Sequence, residues 1–169
     1  MNPRAAVLVE GESDRIALET LAGRRGRDLA AEGVGVIAIG GAQAIERALR
    51  GLSRVRVAGL YDVAEERTVL RGLERAGFGS DGFFACHPDL EGELVRALGP
   101  ERMLELVEAR GQLGAFSTYR KQPAQRAKPL EAQLHGWLHN WKIRYAAPLV
   151  EAIELDRMPP PLDLVLAHV

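Results

Sequence analysis

Four short apolar runs, AAVLV (5–9), VGVIAI (34–39), RVRVAGLY (54–61) and GFFAC (82–86), recur along the first half of the chain, each followed by a segment with helical periodicity. Successive strands separated by a helix-length connection pair in parallel, because the crossover brings the chain back to the edge it started from. SDRIALETLAG (13–23) sets Ile16, Leu18, Leu21 and Ala22 near one another on a helix that stops at Gly23. AQAIERALRGL sets Ile45, Ala48, Leu49 and Leu52 on one face. AEERTVLRGLERAG and LEGELVRAL follow the third and fourth runs. This order predicts an α/β fold with a mainly parallel four-stranded sheet flanked by helices.

The second half reads as extra C-terminal helices: ERMLELVEAR, then PLEAQLHGWLHNWKIRY, then PLVEAIELD, with a looser stretch, GQLGAFSTYRKQPAQRAKP, between the first two. MPPPLDLVLAHV reads as an extended tail or an edge strand, since consecutive prolines cannot donate to a ladder. With 169 residues, 47% of them hydrophobic, and no low-complexity linker, the expectation is a single domain over 1–169. Its core covers about 1–98 and its helical extension about 99–169.

Overall charge points to no partner class, because 22 Lys and Arg stand against 23 Asp and Glu. Cys86 is the only cysteine, which excludes an intrachain disulfide and a multi-cysteine zinc site. The first residues reach charge too early for a secretory signal, and no apolar run approaches the roughly 20 residues of a membrane span. A cytoplasmic protein with no membrane association is the expectation.

Ligands of open α/β sheets collect at the carboxyl ends of the strands. In LVEGESD (8–14) Glu10 follows the first run; Asp62 follows the third, and Asp89 and Glu91 follow the fourth. Carboxylates gathered there repel one another unless a cation neutralises them, and magnesium suits hard oxygen donors. Three of the acids taken alone have a structural role open to them, whereas Glu10 at the end of a buried strand needs a partner. Asp14 suits the first turn of a helix through the helix dipole, Asp62 could cap the next helix, and Glu12 is expected in solvent.

VLVEGESDRIALETLA (7–22) resembles the opening motif of the Toprim domain of topoisomerases, bacterial-type primases, ribosomal RNA maturases and the overcoming-lysogenization-defect (OLD) nucleases. RVAGLYDVAEE falls where that family has its Asp-x-Asp motif. The run into Gly40 and Gly41, the segment DLEGEL, and a Lys-Pro before a C-terminal helix resemble the OLD branch. The resemblance implies a nuclease that uses Mg2+ or Mn2+ and acts on DNA rather than RNA. It places Glu10 and Asp62 on the metal that activates water, Asp14 and Glu91 on the same or a second metal, and Lys128 beside the charge building on the phosphate. Where the second aspartate of the motif is expected the chain has Ala64, so either Glu65 reaches back or a metal position is lost. A catalytically silent nucleic-acid-binding or partner-docking module is therefore an alternative, and a ribosomal RNA processing nuclease is another. The OLD branch carries an ATPase region, whereas no G-x-x-x-x-G-K-[ST] occurs here, which implies a stand-alone domain or an ATPase partner in trans.

A local basic footprint suits a polyanion. Arg120, Lys121, Arg126, Lys142 and Arg144 lie in a segment with one acid, Glu131, and with Tyr119, Trp137, Trp141 and Tyr145 among them. Both tryptophans share a helical face with Leu138, so core packing is the competing role. His135 and His139 stand at i and i+4, but Gly136 replaces the glutamate of H-E-x-x-H, and they read as surface or packing residues.

Overall fold

The computed structural model describes residues 3–52 and 54–169. Its four strands are β1 (Ala5–Val9), β2 (Val34–Ala38), β3 (Arg56–Asp62) and β4 (Phe83–Cys86). They form one all-parallel sheet in the order β2-β1-β3-β4. Helices α1 (Glu12–Arg24), α2 (Ile45–Arg50), α3 (Glu66–Ala76) and α4 (Leu90–Leu98) follow the strands in turn. Then come α5 (Pro100–Ala109), α6 (Leu113–Arg120), α7 (Leu130–Leu138), α8 (Lys142–Ala152) and α9 (Pro160–His168).

The two-residue period of a strand sorts its side chains onto two faces. Ala5, Val7 and Val9 of β1, with Ala58 and Leu60 of β3, enter one core with α1, α4, α5 and the later helices. Leu8, Val57 and Tyr61 enter a second core with Ile45 and Leu49 of α2 and Val69 and Leu73 of α3. β1 is buried at every position, as its unbroken apolar run requires of a strand covered on both faces. Among the described residues no helix is long and apolar enough to cross a membrane.

Three segments differ from the expectations above. MPPPLDLVLAHV is neither tail nor edge strand but contains α9, whose prolines occupy the first turn, where a missing N–H costs no intrahelical bond. Leu162, Val165 and Leu166 then bury one face against the sheet. Arg25 pairs with Asp163 at 2.7 Å, and Arg27 donates to the carbonyl of Leu166, so the turn that follows α1 holds the last helix. The loose stretch contains α6, which buries Phe116 against Trp137. The 129–145 segment is not one helix: it breaks at 139–141, where the Trp141 amide bonds the Leu138 carbonyl at 2.7 Å, and α8 then runs through Pro148. Packing decides this, since Tyr145, Ala146, Leu149 and Val150 form the buried face of α8, and α8 lies along α1. Arg24 adds bonds of 2.6 Å to the carbonyls of Val150 and Ile153.

Gly59 lets the two central strands and β4 meet. A Cβ there would lie 2.5 Å from Phe83 Cε1 and 2.9 Å from the Leu8 carbonyl oxygen, whereas at Gly23 in α1 it would meet nothing within 4 Å. Gly59→Ala is expected to cost about 1–3 kcal/mol by overpacking, and Gly23→Ala to be neutral or stabilising by roughly 0.5–1 kcal/mol through helix propensity. Urea denaturation midpoints of the two variants check this contrast.

Candidate metal centre

Parallel pairing puts the carboxyl ends of β1, β3 and β4 at one edge, with Leu8 opposite Gly59 and Asp62 opposite Cys86. Glu10 leaves β1 at that edge, and its carbonyl accepts from the amides of Gly40 and Gly41 at 3.0 and 3.2 Å. Those glycines take φ of +78° and +108°, which a side chain would strain, so the turn after β2 anchors Glu10 through glycine geometry. Asp14, in the first turn of α1, accepts from the Gly11 amide at 2.8 Å. Asp62 ends β3 and stands at the N-cap position of the 3-10 turn Val63–Glu65, yet its side chain makes no capping bond. The carboxylate is thus left for other partners.

The turn after β4 supplies two more acids. Asp89 caps α4 by accepting from the Gly92 amide at 2.8 Å. Gly92 permits this, since a Cβ there would come within 2.7 Å of Pro88 Cδ and 3.2 Å of Asp89 Oδ1. Glu91 is 5% exposed, accepts from Ser13 Oγ at 3.4 Å, and accepts from Lys142 Nζ at 3.0 Å. Lys142 opens α8, so the break at 139–141 carries this ammonium to the sheet edge.

The acids act on one another. Burial, then the charges of Glu10, Asp89, Asp14 and Glu91, push Asp62 up to about 7. Burial pushes Asp14 up to about 6; the Gly11 amide opposes that rise, while Glu91 and Glu10 add to it. Glu10 is raised by burial and then by Glu65, with Lys142 pulling the other way. For Lys142 burial disfavours the charge, but Glu91, Asp89 and Asp62 outweigh it and hold the ammonium protonated. Glu65 thus lies near enough to Glu10 to be its strongest acidic neighbour, as a residue reaching back from beyond Ala64 would.

This donor set suits a hard, hydrated divalent cation: carboxylate oxygens from several turns, desolvated and mutually repelling, with one lysine as internal counter-charge. Among the described residues, no three of Glu10, Asp14, Asp62, Glu65 and Glu91 bring ligand atoms within 4.8 Å of one another. The triplet that does so is Asp89, His135 and His139. The two histidines, expected as surface or packing residues, therefore face the site edge. His135 Nε2 lies 2.7 Å from Asp89 Oδ1, a contact between residues 46 apart in sequence that local spacing cannot reveal.

The remaining candidates fall into separate places. Lys128 is exposed in the segment before α7 and makes no ion pair among the described residues. Arg120, Lys121 and Arg126 line a cleft of about 490 Å³ with Ser117 and Gln133. Lys142 and Arg144 line another, of about 560 Å³, with His139 and Trp141, and the Arg144 guanidinium sits 5.7 Å above the Trp141 ring. Trp137 is in the core, whereas Trp141 borders this cleft.

A parallel four-stranded sheet with acids at the carboxyl ends of its central strands and after its edge strand is the Toprim form of the α/β fold. Residues 3–61 match the family model for the overcoming lysogenization defect protein-like TOPRIM domain. The fold is similar to that of the C-terminal region of the Burkholderia pseudomallei OLD protein, at 19% identity and a TM-score of 0.74, covering 99% of this chain and 97% of that one. It is likewise similar to the C-terminal region of the Xanthomonas campestris pv. campestris OLD protein, at 23% identity and a TM-score of 0.75, covering 99% and 92%. No curated protein matches the chain. The chain has the Toprim form of the α/β fold, and over residues 3–61 it is similar to the OLD-like TOPRIM domain.

Proposed function

We propose that the chain is a metal-dependent nuclease that hydrolyses phosphodiester bonds in DNA. The observation that carries this reading is the meeting of Glu10, Asp14, Asp62, Glu65 and Glu91 at one sheet edge, where burial and the neighbouring carboxylates raise the proton affinity of Glu10, Asp14 and Asp62, with Lys142 bonded to Glu91 among them. Mg2+ or Mn2+ held by these carboxylates would polarise a water and neutralise non-bridging phosphate oxygens. The chain's own residues do the rest. Gly40 and Gly41 fix the Glu10 backbone, the Gly11 amide fixes Asp14, and Glu91 holds the Lys142 ammonium where it can meet charge building on a phosphate. Arg120, Lys121 and Arg126 in one cleft and Arg144 in the other suit backbone contacts to nucleic acid, with Trp141 available for base stacking.

Lys128 is expected beside the phosphate from the sequence, but Lys142 is the lysine at the acids and would meet the charge on the phosphate. Lys142→Ala is expected to lower kcat about 100-fold with little change in KM, while Lys128→Ala, as an exposed backbone contact, raises KM and flattens the salt dependence of binding. Steady-state kinetics on a labelled duplex, at several salt concentrations, separates the two.

Ala64 favours a second reading, a nucleic-acid-binding or partner-docking module without catalysis. The deciding experiment incubates the protein with plasmid, linear duplex, single strands and structured RNA, with and without manganese. Cleavage of DNA supports the proposal, cleavage of the RNA alone replaces it with RNA processing, and binding without cleavage leaves the docking module. Adding a candidate ATPase to the same reaction tests for help in trans.

A further inference from the structure

We propose a distinct site for a borderline divalent transition ion, of the Zn2+ or Co2+ class, made by Asp89, His135 and His139. His135 and His139 lie one helical turn apart at the end of α7, with ring centroids 5.0 Å from one another. Both face one carboxylate: His135 Nε2 is 2.7 and 2.9 Å from the Asp89 oxygens, and His139 Nε2 is 3.8 Å from Asp89 Oδ2. Small movements, opening the His135 contacts and closing the His139 one, would bring these separations to the roughly 3.4 Å of atoms sharing a tetrahedral ion at about 2.0–2.2 Å each.

His135 Nε2–H donates to Asp89, a proton that an ion would replace, and a supporting bond sets the donor of His139. His139 Nδ1 lies 3.2 Å from the His135 carbonyl, which can only accept, so Nδ1 carries the proton and the Nε2 lone pair points at Asp89. Asp89 is held by the Gly92 amide at 2.8 Å, which spends Oδ1 and leaves Oδ2 as the oxygen nearest His139. Two imidazoles and one carboxylate favour zinc and its neighbours over magnesium, which prefers an all-oxygen octahedron. Asp89 is 13% exposed and His139 49%, so the site has a partly buried floor and a solvent-open side, with coordination positions left for water. None of the five carboxylates assigned to the hard cation is a ligand here, although Asp89 borders them closely enough for its charge to raise Asp62 and Glu10.

Visible absorption during cobalt titration tests it, with magnesium present throughout to occupy the carboxylate edge. Wild type is expected to take up one Co2+ per chain with d–d bands that zinc then bleaches. His139→Gln and His135→Gln are each expected to weaken cobalt binding at least about 10-fold. His139 is half exposed, so its variant does not burden folding. Glu10→Gln is expected to leave cobalt affinity nearly unchanged. Absence of bands in wild type, wild-type titrations from both histidine variants, or loss of cobalt binding in Glu10→Gln would each overturn the site; the last would assign the ion to the carboxylates.

Discussion

Asp62→Ala is expected to lower DNA cleavage with manganese at least about 100-fold, while making the metal-free protein more stable than wild type. The two effects have one cause. Asp62 sits at the end of β3 with its side chain unused by the following turn, and burial plus four acidic neighbours push its proton affinity up to about 7. An ionised Asp62 at neutral pH therefore stores repulsion in the folded state, and alanine releases it. A loss of activity together with a higher melting temperature separates a ligand from a structural residue, whose removal would lower both. Glu65→Ala should lower cleavage as well, because Glu65 is the strongest acidic neighbour of Glu10 and follows directly on Ala64. If Asp62→Ala cleaves like wild type, the carboxylate edge is not the reaction centre.

Divalent metal is expected to raise the melting temperature by roughly 5–11 °C at a concentration about 100 times its dissociation constant, the equivalent of about 2.7 kcal/mol in a chain of this size. Glu10→Gln should remove most of that rise. The pH dependence has a definite sign. Asp62 and Asp14 bind protons more tightly folded than unfolded, up to about 7 and about 6 against 3.8. The folded state therefore holds more protons between those values, and metal-free stability falls as pH rises from about 5 to about 7. After allowance for solvent screening the fall is about 2 kcal/mol. Acids paired with arginine, such as Glu12 and Glu32, are lowered instead and act below this window. With metal bound, the carboxylates lose their reason to hold protons, and the slope between pH 5 and 7 should flatten or reverse. Calorimetry at pH 5, 6 and 7 with and without magnesium measures it; a metal-free slope of the opposite sign would show that the acids are not clustered in solution.

The sheet was legible in the sequence because each strand is a local pattern and the parallel order follows from the helices between strands. Glu10 and Asp62 were legible for the same reason, since the end of a strand in such a sheet is a known edge. The second half was less so. Helical periodicity in 129–145 continues through His139–Trp141, and nothing local says that α8 must turn there to lie along α1. Three prolines look like an obstacle to helix until Leu162, Val165 and Leu166 find the sheet.

By itself, the sequence determined the α/β order and the acids at the strand ends, because each depends on neighbours within a few residues, whereas the bonds from Gly40 and Gly41 to the Glu10 carbonyl cross about 30 residues and needed the sheet to form. Tertiary structure alone decided that Lys142, 51 residues from Glu91, is the ammonium at the acids, and that His135 and His139 meet Asp89. These pairings form only when α7 and α8 close over α4, and the packing that brings them there is apolar, with no record in the spacing of the polar residues it delivers.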